Sequence, residues 1–119
     1  MRVFASDDMF TILPKAMDGL SLRHQVITDN IANVDTPGFK AKHVRFEDQL
    51  SSAISRGRPG LATQSIEKGT GKTRLDGNSV DVDMEMAKLA ETTVLYAAMS
   101  RLISERFSLL RTVITEGRR

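Results

Sequence analysis

The chain has 119 residues and a formal net charge of +2, so it holds one domain at most and lacks the basic excess that would force a nucleic-acid reading. Aromatic residues make up only 5% and Trp is absent, which is thin for a core of mixed layers and closer to the composition of long helices. With no cysteine, a disulfide framework, a thiolate metal site and a cysteine nucleophile are all excluded.

The opening stretch, MRVFASDDMFTILPKAMDGL, carries Asp7 and Asp8 where a secretory signal needs an apolar centre. Export by a cleaved N-terminal signal is therefore not expected, and no apolar run reaches the length of a membrane span. The first predicted element is an N-terminal core helix over residues 7–33. Phe10, Leu13, Met17, Leu20, His24, Ile27 and Ile31 recur at alternating steps of three and four, the seam of a heptad repeat. Ile12, Leu22 and Val26 widen the stripe. Ser6, Asp7 and Asp8 offer capping oxygens and negative charge at the start. Pro14 fits either the first position of the main helix or a kink within a longer one. His24 reads as a packed or partly exposed polar position, because His43, the one other histidine, lies beyond the helix.

The helix stops at NVDTPGF. Asn33 suits the left-handed position that closes a helix, and Asp35 can bond back to the chain. Pro37 pushes Thr36 into an extended conformation. Pro37 and Gly38 fit the two central positions of a type II turn, Gly38 supplying the positive φ. Residues 34–80 form a turn and a flexible middle segment, holding every Pro and Gly of the chain except Pro14, Gly19 and Gly117. Phe46, Leu50 and Ile54 stand four apart, so the spacing allows a short helix over 43–55. Short strands are allowed near Leu61–Ile66. The rest has no sustained period and is expected to be mobile in the isolated chain. Residues 56–80 carry five basic and two acidic side chains, a modest positive patch that reads first as a solvated loop.

Asp76-Gly77-Asn78 reads as a tight turn, Ser79–Val82 as a short extended piece, and Asp83 as the N-cap of a C-terminal core helix over 83–116. Leu95, Met99, Leu102, Leu109 and Val113 follow the three-four alternation, with Ile103, Leu110 and Ile114 as a second row. The stripe is wider than a two-stranded coil needs. Gly117 ends the helix, with Arg118 and Arg119 against the negative end of its dipole. The expected fold class is mainly α: long N- and C-terminal amphipathic helices pairing as a coiled-coil-like core, with an irregular, partly disordered middle segment. The apolar surface exceeds what one antiparallel pair buries, which predicts further helices supplied by other molecules.

Site chemistry is sparse. GTGKT at 69–73 lacks the first Gly of a phosphate loop, since Ile66 stands there, and no hydrophobic strand precedes it. DGNSVDVDME at 76–85 has Gly77 second, where a calcium loop needs Gly sixth. No catalytic constellation assembles, so catalysis, cofactors and metals are not expected.

The block NIANVDTPGFKA (30–41), preceded by LSLRHQVITDN (20–30), resembles the N-terminal signature of the flagellar rod and hook family of axial proteins. FEDQL (46–50) and GNSVDVDMEMAKLAETTVLYAA (77–98) resemble its proximal rod branch in particular. The resemblance covers about two thirds of the chain and leaves 51–75 largely outside. It implies a structural subunit of the basal-body proximal rod, exported unfolded by the flagellar type III apparatus. The terminal helices would stack into a hollow drive shaft that transmits torque and forms the export channel. The implied partners are the rod subunits FlgC, FlgF and FlgG, the FliE adaptor and the membrane ring base, with no nucleic acid and no small-molecule substrate; the implied location is the periplasmic rod. Asn30, Asn33, Asp35, Thr36, Pro37, Gly38 and Phe39 become the assembly turn. Leu13, Met17, Leu20, Ile27, Ile31, Leu95, Met99, Leu102, Leu109 and Val113 become the helix-packing set. The segment after the turn would form an extended arm, with Val44, Phe46 and Leu50 held for a neighbour. Phe39 stands where the family commonly has Tyr, and the middle is short for the family. Two rival readings are a small helical nucleic-acid-binding or chaperone-like module and a phosphate-binding enzyme. Salt-dependent DNA binding would mark the first, and ATP binding lost in Lys72→Ala the second.

Overall fold

The computed structural model describes residues 6–117. The side chains of Ser6 and Asp7, expected to cap the first helix, and Arg118 and Arg119, expected to face the end of the last one, lie outside the described residues.

The heptad-spaced stripe produces α1 (Ser6–Ala32), and Pro14 lies inside it rather than at its start. Lacking an N–H, Pro14 leaves the Phe10 carbonyl without its intrahelical donor, and the helix nonetheless runs on through it. Leu13, Leu20, Val26 and Ile27 are buried, while Met17 and Ile31 are half-buried and His24 is exposed.

Beyond the turn the chain doubles back along α1. The expected short helix over 43–55 begins later, because residues 42–45 are extended. Lys42–Arg45 is a strand, β1, and Glu47–Ser55 is the helix, α2. The physical reason is the alternation His43, Val44, Arg45, Phe46: Val44 and Phe46 turn inward and are buried, while His43 and Arg45 stay in water. A single 3-10 turn (Pro59–Leu61) follows, and then β2 (Ser65–Lys68). The strands pair antiparallel, Lys42 opposite Lys68 and Arg45 opposite Ser65. The middle is therefore a two-stranded ribbon with a helix between its strands, packed on α1, where an irregular segment was expected.

Val44 and Phe46 are also not held for a neighbour. They form the buried cluster with Leu20 and Val26, flanked by Leu22 and Met99. Gly19 makes the approach possible: a Cβ there would lie 2.4 Å from the Phe46 ring.

The last helix, α3 (Val82–Glu116), is 35 residues long, about 52 Å at 1.5 Å per residue. Its N-cap is Asp81 rather than Asp83: the Asp81 carboxylate accepts from the Met84 N–H at 3.2 Å, and Asp83 sits in the first turn. Two Asp residues flank Val82, and the one further upstream takes the extended cap conformation. α3 runs antiparallel to α1. Phe10 and Phe107 meet at 5.1 Å between ring centroids near one end, and Asn30 meets Glu85 near the other. α1 thus lies between the ribbon and α3. The chain measures 69 × 26 × 14 Å with a radius of gyration of 18.5 Å, against about 13.5 Å for a compact chain of this length.

Candidate functional site

Backbone and side-chain hydrogen bonds converge on the turn after α1. Phe39 N–H donates to the Thr36 carbonyl at 3.2 Å, and Gly38 has φ +77°. With Pro37 fixing the preceding φ, this is the expected type II turn. Asn33 departs from expectation. Among the described residues positive φ is confined to Gly38, Gly57 and Gly77, so Asn33 is not left-handed. Its amide instead donates to the Asp29 carbonyl at 2.8 Å, and its Oδ1 accepts from Thr36 Oγ1 at 3.1 Å. A side chain thereby performs the closure that a left-handed residue performs elsewhere.

The inner face of the turn is held by a residue far along the chain. Asn78 is completely buried. Its amide donates to the carbonyls of Asn33 at 2.8 Å, Val34 at 3.0 Å and Thr36 at 2.8 Å. Its Oδ1 accepts from Val80 N–H at 2.7 Å. Those carbonyls line the turn just beyond the last residue of α1, and the one amide gives each of them a further donor beside those of Thr36 N–H, Arg74 and Phe39 N–H. The segment carrying Asn78 lies alongside the turn: Gly38 N–H donates to the Asp76 carbonyl at 2.9 Å, and Ser79 N–H to the Phe39 carbonyl at 3.0 Å. Arg74 donates to Val34 O and, at 3.4 Å, to Val80 O, while Lys40 Nζ reaches Gly77 O at 2.6 Å. Gly77, at φ +84°, lies against Gly38: a Cβ on it would stand 3.2 Å from the Gly38 Cα.

Asn30 is the second fully buried asparagine. It mimics a neighbouring strand for β1, donating to the Lys42 carbonyl at 2.7 Å and accepting from Lys42 N–H at 3.0 Å. Its amide also donates to Glu85 Oε2 at 3.1 Å. Further down, Arg23 donates to the Val44 carbonyl at 3.0 Å and to Glu47 Oε2 at 2.7 Å, and lies 4.7 Å from the Phe46 ring centroid. Partial burial pushes the Glu47 carboxyl up, but the Arg23 hydrogen bond and charge, with backbone N–H groups at the α2 start, outweigh it and hold it below its usual 4.5.

The outer face is different. Asp35, Thr36, Pro37 and Gly38 are exposed, and Phe39 is half-buried. The turn is thus a fixed shape with an open outer surface, as binding loops on rigid scaffolds are. Of the helix-packing set, Leu13, Leu20 and Ile27 are buried, and Met17, Ile31 and Met99 are half-buried. Leu95, Leu102, Leu109 and Val113 face outward. Glu85 and Thr92 take the buried positions of α3 instead. Sequence reasoning missed Asn78, Glu85 and Thr92. The period-two alternation of residues 43–46 was the signal that could have placed Val44 and Phe46 in the core of the chain itself.

Among the described residues no His, Asp and Glu cluster could hold a metal ion, and no helix is long and apolar enough to cross a membrane. The GTGKT stretch at 69–73 follows the short, largely exposed β2 but enters no helix, and Ile66 stands where a phosphate loop needs Gly.

Residues 15–40, which run from mid-α1 through the turn, match the family described as Flagella basal body rod protein. The chain is 35% identical to the flagellar basal body rod protein FlgB of Bacillus subtilis, over 89% of this chain and 92% of that one. It is 34% identical to FlgB of Borrelia hermsii, over 82% and 89%, and 26% identical to FlgB of Escherichia coli K12, over 87% and 90%.

Proposed function

The chain belongs to the FlgB family of flagellar basal body rod proteins, and from that premise we propose that α1 and α3 form its assembly core in the proximal part of the rod. It is a structural subunit of the flagellar basal body rod and not an enzyme, and its partners include other rod components. The observation that carries the assembly reading is the outward apolar stripe of α3. Leu95, Leu102, Leu109 and Val113 are exposed, Val113 at 60%, in a chain whose buried side-chain polar atoms are all partnered among the described residues. A helix that satisfies its polar groups and leaves an apolar row uncovered is built for a further helix. Repeated contacts of one kind that do not close into a ring generate a helical shaft, and a hollow one would carry torque and pass exported subunits. In that shaft the helices pair in coiled-coil fashion, and the exposed face of the turn at 35–39 meets an adjacent subunit.

The finer partners are FlgC, FlgF and FlgG around and above, with FliE and the membrane ring below. Arrival is by the flagellar type III apparatus without a cleaved signal, and residence is in the periplasmic rod. None of the relatives supports the nucleic-acid-binding alternative. Deleting the gene is expected to abolish flagella, and the protein is expected in purified basal bodies. Gly38→Val is expected to impair assembly and motility while the free chain stays soluble, because a β-branched residue at φ +77° is strained. Normal swimming in that variant would remove the turn from the assembly surface.

A further inference from the structure

α3 carries two rows able to face α1. The one that does includes Glu85 and Thr92, both buried, and Met99 and Ile103, both half-buried. The one that does not includes Leu95, Leu102, Leu109 and Val113. Thr92 and Leu95, like Met99 and Leu102, are three positions apart, so the rows are offset by roughly 60° around the helix. Apolar burial is non-directional, and with Leu89 half-buried and Phe107 against Phe10 the facing row only matches the outward one in apolar residues. Hydrophobic gain alone therefore does not select the face observed.

The polar contacts do. Asn30 is fixed from two sides by the N–H and carbonyl of Lys42, so its remaining amide hydrogen points one way, to Glu85 at 3.1 Å. The other carboxylate oxygen lies 3.4 Å from Lys88 Nζ, and Thr92 Oγ1 donates back to the Lys88 carbonyl at 2.8 Å. Rolling α3 to its other row would carry Glu85 away and leave a completely buried amide hydrogen without an acceptor, a penalty that apolar contacts do not refund. We propose that Glu85, oriented by Asn30, is the positioning residue that selects which face of α3 lies on α1, and hence which apolar row is left outside. The selection operates within a single chain and does not depend on the rod reading.

Because the chain has no cysteine, a single introduced thiol reports its own surroundings. Leu102 and Ile103 are adjacent but sit on opposite sides of the boundary between the rows, one exposed and one half-buried. In the otherwise native full chain, maleimide is expected to label Leu102→Cys several-fold faster than Ile103→Cys. Adding Glu85→Leu is expected to reverse that order with the helical circular dichroism retained. Adding Glu85→Gln, whose amide oxygen still accepts from Asn30, is expected to keep the native order. An unchanged order in Glu85→Leu overturns the proposal, as does a reversed order in Glu85→Gln. Loss of helix with equal labelling at both positions also overturns it, because the proposal requires a second packed arrangement.

Discussion

At the scale of single residues, two asparagines do what no apolar residue in the chain can. Asn78 supplies both donors and an acceptor at a point with no access to water. Asn78→Ala is expected to lower unfolding stability by about 2–4 kcal/mol, since the buried Val80 N–H loses its acceptor and three turn carbonyls each lose a donor. Asn78→Asp is expected to be worse despite its matching shape. A carboxylate cannot donate, and it would set a buried negative charge against three carbonyl oxygens. Urea midpoints of the two variants test the ranking, and an aspartate more stable than the alanine would contradict it. None of this was legible from the sequence around Asn78, which reads as an ordinary Gly-Asn turn. Its carbonyl partners lie 42 to 45 positions upstream, and no local pattern encodes a contact of that range. The Pro37-Gly38 turn was legible because its chemistry is local.

At the scale of elements, the helix stripes were readable, and their faces only partly so. α1 buries Leu13, Leu20 and Ile27 of its heptad seam, half-buries the other apolar members and leaves His24 in water. α3 has two apolar rows, and the choice between them rests on Asn30 and Glu85, which sequence periodicity does not weigh. β1 was hidden because Phe46, Leu50 and Ile54 suggested helix, while the alternation that signals a strand spans only four residues. The seating of the ribbon on α1 depends on Gly19. Gly19→Ala gains helix propensity of about 1 kcal/mol, yet it places a methyl 2.4 Å from the Phe46 ring. Overpacking of that kind costs roughly 1–3 kcal/mol, so a lower thermal midpoint is expected, and Gly19→Ala combined with Phe46→Leu should recover part of it. The clasp of Arg23 on Glu47 gives a pH dependence. The folded-state pKa of Glu47 lies below its usual 4.5, so the unfolded state binds the proton more readily. The contribution is present above pH 4.5 and is lost as pH falls through the lower folded value. Glu47 is about half exposed, which limits the effect to under about 1 kcal/mol. Glu47→Gln is expected to flatten the acid limb of the stability profile by that amount and leave the neutral range nearly level. A steeper limb would contradict the assignment.

At the scale of the whole molecule, the elongated shape and the outward row of α3 belong together: a chain this thin cannot cover both sides of a 35-residue helix. The double variant Leu102→Glu, Leu109→Glu is expected to change monomer stability by no more than about 0.5 kcal/mol, as exposed substitutions do. It is expected to abolish incorporation into the rod. Equal recovery in purified basal bodies would remove this row from the assembly surface. The surplus of apolar residues on α3 was evident in the sequence, but which of them would remain uncovered was not. The Asn78 contacts carry a further consequence, one of timing. The turn carbonyls of Asn33, Val34 and Thr36 take a further donor from a side chain more than forty residues later, and that side chain also holds Val80, the residue just before the α3 cap. In a chain that emerges N-terminus first, Asn33 and Val34 close the end of α1 locally, but the inner face of the turn stays open until the loop through residue 80 has emerged and closed upon it. The burial of the turn and the start of the second long helix thus form as a single late event, and a nascent chain cut short of Asn78 would leave the inner face of the turn open.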